Sequence, residues 1–387
     1  MNESFGQALK RLRGSRSVRD VAQLANCSKS LVSDLENGKR KPTPQSAAAV
    51  DRALGAQGEL TALADATSNP TPLDQADALQ RGLHETLAAG PLSDAGLDEV
   101  EWTVTRHGRA TRYRPESELL PDLIADFSHL RLLMTGRQSV PVRRRLTIAA
   151  ARMSGLVALT LLKLGDERSK SWWRTGRTAA AAAEDRATLS WIYAQAAYQL
   201  YYNGDLYGAV ELAIRAQQCA GAFPCVGPAL AAPLEARAHA QLSRRDATAS
   251  ALSNARTALD RLPEDERQES AFGYSEAQFA FHSGNAWTHL EDTSRAGTEL
   301  AQALHLCPKS DHTDRALVRL DQAMCAAISG HPASAADQAM STVVELPEQH
   351  RSALIIFRAR EVADKVPEAR KVLEMKALRE ILALPSE

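Results

Sequence analysis

The sequence predicts an all-α protein with a small helical head and a long body of repeated helices. Three observations lead there. Ala and Leu recur at three- and four-residue spacing almost to the C-terminus, and few stretches alternate apolar and polar residues as a half-buried strand would. Turn-forming residues divide the first sixty residues into short helical groups. Small residues come back at matching offsets along the body. Pro70, Pro72, Ser68 and Asn69 break the periodicity between the two regions. The expected organisation is a head at 1–64, a linker at 65–75, a helical connecting region at 76–145 and the repeat body at 146–387.

The head announces itself by charge. The chain of 387 residues has a formal net charge of −1. Residues 1–58 nevertheless hold ten basic and five acidic side chains, a net +5, which leaves −6 for the rest. A basic head on an acidic body fits a polyanion as the head's partner. Within the head, Phe5, Leu9 and Leu12 form one apolar group. Val18, Val21, Ala22 and Ala25 form the next, followed by Leu31, Val32 and Leu35, then Val50 and Leu54. Ser17 and Ser28 stand where each would cap a helix, accepting a hydrogen bond from an otherwise unpaired backbone N–H. Ala25-Asn26-Cys27 leaves a turn of about three residues between those helices. Gly38 supplies a left-handed ending to the second one.

The run SVRDVAQLANCSKSLVSDLENGKRKPT, with its Glu36-Asn37-Gly38-Lys39-Arg40-Lys41-Pro42 ending, resembles the helix-turn-helix of the XRE-type (Cro/lambda-repressor-like) regulators over about residues 5–56. The connection from Arg13 to Ser17 is about two residues shorter than is usual there. The resemblance implies a lambda-repressor-like domain whose second motif helix enters the major groove with its N-terminal residues toward base edges. Ser28, Lys29, Ser30 and Ser33 then face bases, Lys29 being able to donate to guanine O6 and N7. Arg16, Arg19, Lys39, Arg40, Lys41 and Thr43 are the expected phosphate ligands, which position without specifying sequence. Glu36 has the wrong charge for DNA and is expected to pair with Arg11 or Arg13. So little base contact per head implies a homodimer on paired half-sites.

The body is expected to begin each unit near a small residue. Gly284, Trp287, Asp292, Ala296, Leu300, Ala303 and Pro308 set the pattern, and Ala323 to Pro347 repeats it. Ala197 to Ala216, His239 to Pro263 and the half-unit Ala158-Leu161-Gly165-Asp166 read similarly. These residues resemble tetratricopeptide (TPR) repeats, with starts at 158, 197, 239, 284 and 323 in place of the usual period of about 34. A TPR-like α-solenoid presents a concave face to ligands. Tyr198, Tyr201, Phe281 and Asn285 are the candidates for that face, and the Trp172-Trp173 pair should place one indole in the core and one at its edge.

The remaining chemistry is read by exclusion. His282, His289, His305, Cys307 and His312 form no H-E-x-x-H or zinc-finger pairing, and no phosphate loop, dinucleotide turn or nucleophile elbow occurs. No enzyme, metal or cofactor is expected. Five scattered cysteines, no signal-peptide core and no apolar run of roughly 18–20 residues point to reduced thiols in a cytoplasmic protein without membrane attachment. The function expected is a sequence-specific transcriptional regulator that binds double-stranded DNA. Its body would dimerise or sense a peptide, small molecule or protein. A TPR-like interaction scaffold with a vestigial head is the alternative.

Overall fold

The computed structural model describes residues 3–67, 72–88, 90–365 and 373–383, and among them it contains twenty α-helices and no strand. Two compact units divide at Glu85 and Thr86.

The first unit is built by its caps. Helix α1 (Phe5–Arg13) opens on a capping box in which Ser4 Oγ accepts from Gln7 N–H and Gln7 Oε1 accepts from Ser4 N–H. Helix α2 (Val18–Leu24) repeats the device with Ser17 and Asp20. Helix α3 (Lys29–Glu36) starts at Ser28, whose Oγ accepts from Leu31 N–H at 3.2 Å. Asn26 carries the α2–α3 turn at φ +48°, and Gly38 ends α3 at φ +67°. Thr43 caps α4 (Pro44–Leu54), and the buried Asp51 carboxylate accepts from the N–H groups of Gly58 and Leu60 to start α5 (Glu59–Thr67). Phe5, Leu9, Val21, Val32, Leu35, Val50 and Leu60 make the shared core. Gly6 lets α1 touch α3: a Cβ there would lie 2.5 Å from the Glu36 carbonyl oxygen. The middle of the expected linker, 68–71, lies outside the described residues, and α6 spans Pro72–Ala88.

In the second unit, α7 (Asp94–Ala110) and α8 (Glu116–Thr135) pack on α9 (Val140–Lys163). Helix pairs follow in series. After α9 and α10 (Ser169–Ala182) come α11 (Arg186–Tyr202) with α12 (Leu206–Ala220), and α13 (Val226–Gln241) with α14 (Arg245–Asp260). Then come α15 (Glu276–His289) with α16 (Thr293–Leu306), α17 (His312–Ile328) with α18 (Pro332–Glu345), and α19 (Ala353–Lys365) with α20 (Leu373–Ala383). The first helices of successive pairs neighbour one another and form the inner layer of a helical-repeat body.

The turns between paired helices place one unit differently from the sequence reading. The first five pairs turn on a residue with positive φ at the same register: Gly165, Gly204, Ser243, Glu291 and Gly330. Four of these lie seven residues after the expected unit starts Ala158, Ala197, Gly284 and Ala323. The third does not, so its start moves from His239 to Ala236, which is fully buried. Buried Thr248, Leu252 and Ala255 then occupy the places of Ala296, Leu300 and Ala303. Alignment on Pro263 misplaces this unit because α14 is two residues longer than α16 and Pro263 stands one residue further beyond its end. Trp173 is buried, whereas Trp172 is half-buried with its ring 5.4 Å edge-on from Phe127.

One expectation about apolar runs needs correcting. Helix α9 is long and apolar enough to span a bilayer, but 72% of its most apolar window is buried inside the protein. Arg152 and the Arg143-Arg144-Arg145 run interrupt its sequence, which hides the apolar face that the fold gathers.

Candidate nucleic-acid interface and the inner face of the body

The α3 helix presents two faces. Val32 and Leu35 are buried in the head's core and Leu31 is half-buried, while Ser28, Lys29 and Ser30 are exposed at its N-terminus. Ser28 Oγ lies 3.0 Å from Ser30 Oγ, so the cap also steadies its neighbour. Ser33 sits a turn on and is half-buried, with its carbonyl and hydroxyl taking the Asn37 amide at 2.8 and 3.4 Å. The N-terminal end of α3 therefore offers one cation and two hydroxyls to a ligand.

Cations stand on both sides of α3 in the chain, Arg16 and Arg19 around the start of α2 and Lys39, Arg40 and Lys41 beyond the C-terminal end of α3. Arg16, Arg19, Lys39, Arg40 and Lys41 are all exposed, and none of these or Lys29 joins an ion pair among the described residues. Their backbone is fixed rather than loose, because Asp34 C=O accepts from the N–H groups of both Lys39 and Arg40. Thr43 is exposed too, with its hydroxyl accepting from Ser46 N–H at 3.1 Å as the α4 cap. Glu36 is taken out of the interface by Arg13, whose Nε lies 2.5 Å from its carboxylate and whose Nη1 donates to Arg16 C=O at 2.5 Å. One guanidinium thus ties α1, the loop before α2 and the end of α3. Arg11 instead pairs with Glu3 at 2.9 Å and with Glu59. Six unneutralised cations in and around the α2–α3 motif suit a phosphate backbone.

Residues 4–64 match the family model of a helix-turn-helix domain. No curated protein and no solved structure matches the chain. The helix-turn-helix domain suggests DNA-binding regulation. Its supporting residues Gly6 and Asp51 escape sequence reasoning, since one acts through a helix contact thirty residues away and the other through amides of the next helix.

The body places Tyr198, Tyr201, Phe281 and Asn285 together on the inner layer, each no more than 8% exposed. They surround Arg237, whose guanidinium carbon lies 4.6 Å from the Tyr201 ring centroid, 5.9 Å from Tyr198 and 5.7 Å from Phe281. Arg237 Nε donates to Asn285 Oδ1 at 2.7 Å, Asn285 Nδ2 donates to Asp321 Oδ2 at 2.8 Å, and Arg358 Nε donates to Asp321 Oδ1 at 2.6 Å. Asn285 consequently bridges two buried arginines through one carboxylate. The Tyr274 hydroxyl hydrogen-bonds His282 Nδ1 at 2.9 Å, and burial followed by nearby Arg237 holds this imidazole far below its ordinary pKa. His289, beside Tyr201 and Gln241, is shifted the same way by burial and by Arg358. Burial raises the Tyr201 hydroxyl to about 12. Narrow cavities of about 60 and 90 Å³ lie among Tyr198, Tyr201, His282, Arg237 and Arg358.

Proposed function

We propose that this protein is a sequence-specific transcriptional regulator of the XRE type, binding double-stranded DNA in the cytoplasm as a homodimer. The observation that carries the reading is the exposed N-terminal end of α3, with Ser28, Lys29 and Ser30, together with exposed, unpaired Arg16 and Arg19 at the start of α2 and Lys39, Arg40 and Lys41 after α3. Lys29 supplies direct base readout, and the flanking cations supply phosphate contacts. The helix pairs, their five left-handed turns and the terminating Pro308 and Pro347 support a TPR-like body. That body dimerises, senses a ligand, or does both, and acts by binding rather than catalysis. Selection from random duplexes tests this, with the mass of the complex measured by light scattering. Enrichment of a two-fold symmetric site by a dimer is the expected result. A monomer that retains all sequences alike would overturn the reading.

A further inference from the structure

A further cavity of the body adjoins the Arg237 cluster. It is a cleft of about 510 Å³ between the α9–α10 turn, the C-terminal end of α11 and the start of α19. This volume falls in the roughly 300–1,000 Å³ range of small-molecule sites. The repeat body curves enough to bring its ends together there: a Cβ on Gly165 would lie 3.3 Å from Ala353 Cβ. Tyr202 lines this cleft and both narrow inner cavities, so the three spaces adjoin.

Two polar atoms in the cleft wall are buried without a hydrogen-bond partner, Gln199 Oε1 and Ser352 Oγ. Their residues are only 4% and 8% exposed. Gln199 is held in place because its Nε2 donates to Ser169 Oγ at 2.7 Å, which leaves Oε1 as a fixed acceptor. A buried polar atom left unpaired is costly, so such a wall is suited to a ligand that completes it.

The charges of the wall are unequal in their pairing. Glu116 is paired with Lys163 at 3.1 Å, Asp166 with Arg168 at 2.5 Å, and Glu167 with Lys170. Arg351 and Arg360 bond only backbone carbonyls among the described residues, at Leu346 and Val344 and at Leu382. Phe357, Ile356, Leu354 and Leu162 supply an apolar floor, with Phe357 44% exposed. Two arginines without a carboxylate partner line the same cleft as an exposed ring, a combination that matches an anion with an apolar body.

We propose that this cleft binds a small organic carboxylate with an apolar, preferably aromatic, body and one further hydrogen-bond donor. Its carboxylate meets Arg351, Arg360 and the Ser352 hydroxyl, and its donor meets Gln199 Oε1. The assignment names the ligand class for the sensing body proposed above and rests on that reading for its regulatory meaning. Binding itself is measured without DNA, so failure of either idea is seen separately.

The test is thermal melting of the full chain with 10 mM phenylacetate, 4-hydroxyphenylacetate or indole-3-acetate, each against its uncharged amide at equal ionic strength. A ligand present at about ten times its Kd raises the melting temperature by about 2 °C or more for a unit of this size. The acids should do so and the amides should not. Arg351→Met with Arg360→Met should abolish the shift. Ser352→Ala, which removes no existing hydrogen bond, should fold normally and reduce it. Equal shifts from acids and amides, no shift from any acid, or a shift that survives the double arginine change would each overturn the assignment.

Discussion

The salt dependence of DNA binding gives the sharpest reading of the head. Lys39, Arg40 and Lys41 are exposed, unpaired and directly after α3, so their replacement by Gln disturbs no internal ion pair. The triple change lowers the charge of residues 1–58 from +5 to +2. Removing one phosphate ligand flattens the plot of log K against log salt by about 0.9. Three such ligands per head therefore account for about 2.7 of the slope, and two heads for about 5.4. Between 50 and 200 mM salt, the wild-type affinity should fall about 40-fold more per head than that of the variant. Fluorescence anisotropy on a selected site and on a random duplex measures both slopes, which should flatten alike. An unchanged slope in a folded variant would refute the placement of these cations on phosphates.

Three further outcomes follow from named residues. Lys29→Ala and Ser30→Ala should lower discrimination between the selected site and random DNA by about 1–3 kcal/mol for each good base contact removed, read from competition binding. Gly6→Ala should destabilise the head by about 1–3 kcal/mol in denaturant melts, because its Cβ would lie 2.5 Å from the Glu36 carbonyl oxygen with backbone on both sides. The body should lose stability in mild acid. His282 and His289 have folded pKa values far below the ordinary value of about 6.5, so the unfolded chain binds more protons below that pH. Their contribution is fully present above about pH 6.5 and is lost as pH falls toward the folded pKa values, at up to about 1.4 kcal/mol per pH unit for each histidine. A melting temperature of the body that stays flat from pH 7.5 to 5.5 would contradict their neutral burial.

The head is legible in the sequence because its signals are local. Ser17, Ser28 and Gly38 act within three or four residues, and the apolar groups they separate form the observed core. The sequence leaves Glu36 a choice of Arg11 or Arg13, and the fold selects Arg13 because the α1 face carrying Arg11 turns to Glu3 and Glu59. Repeats in the body are legible from small residues, but the third unit slips because its proline stands three residues late. A sixth pair, α19 and α20, carries no recognisable repeat signal, and α19 supplies one wall of the large cleft. The Arg237–Asn285–Asp321–Arg358 chain is also hidden in the sequence. Its members come from four helices, and each neighbouring pair is separated by 36 residues or more. Such partners are fixed by the superhelical stacking of pairs, which no local window contains.

The central claim is that the head reads DNA sequence. Its most direct test is retention of fragments of the organism's own genome by the purified chain at two salt concentrations. The account predicts that a few fragments survive the higher salt and share a two-fold symmetric site. Retention that is weak, equal for all fragments and erased by salt would contradict it.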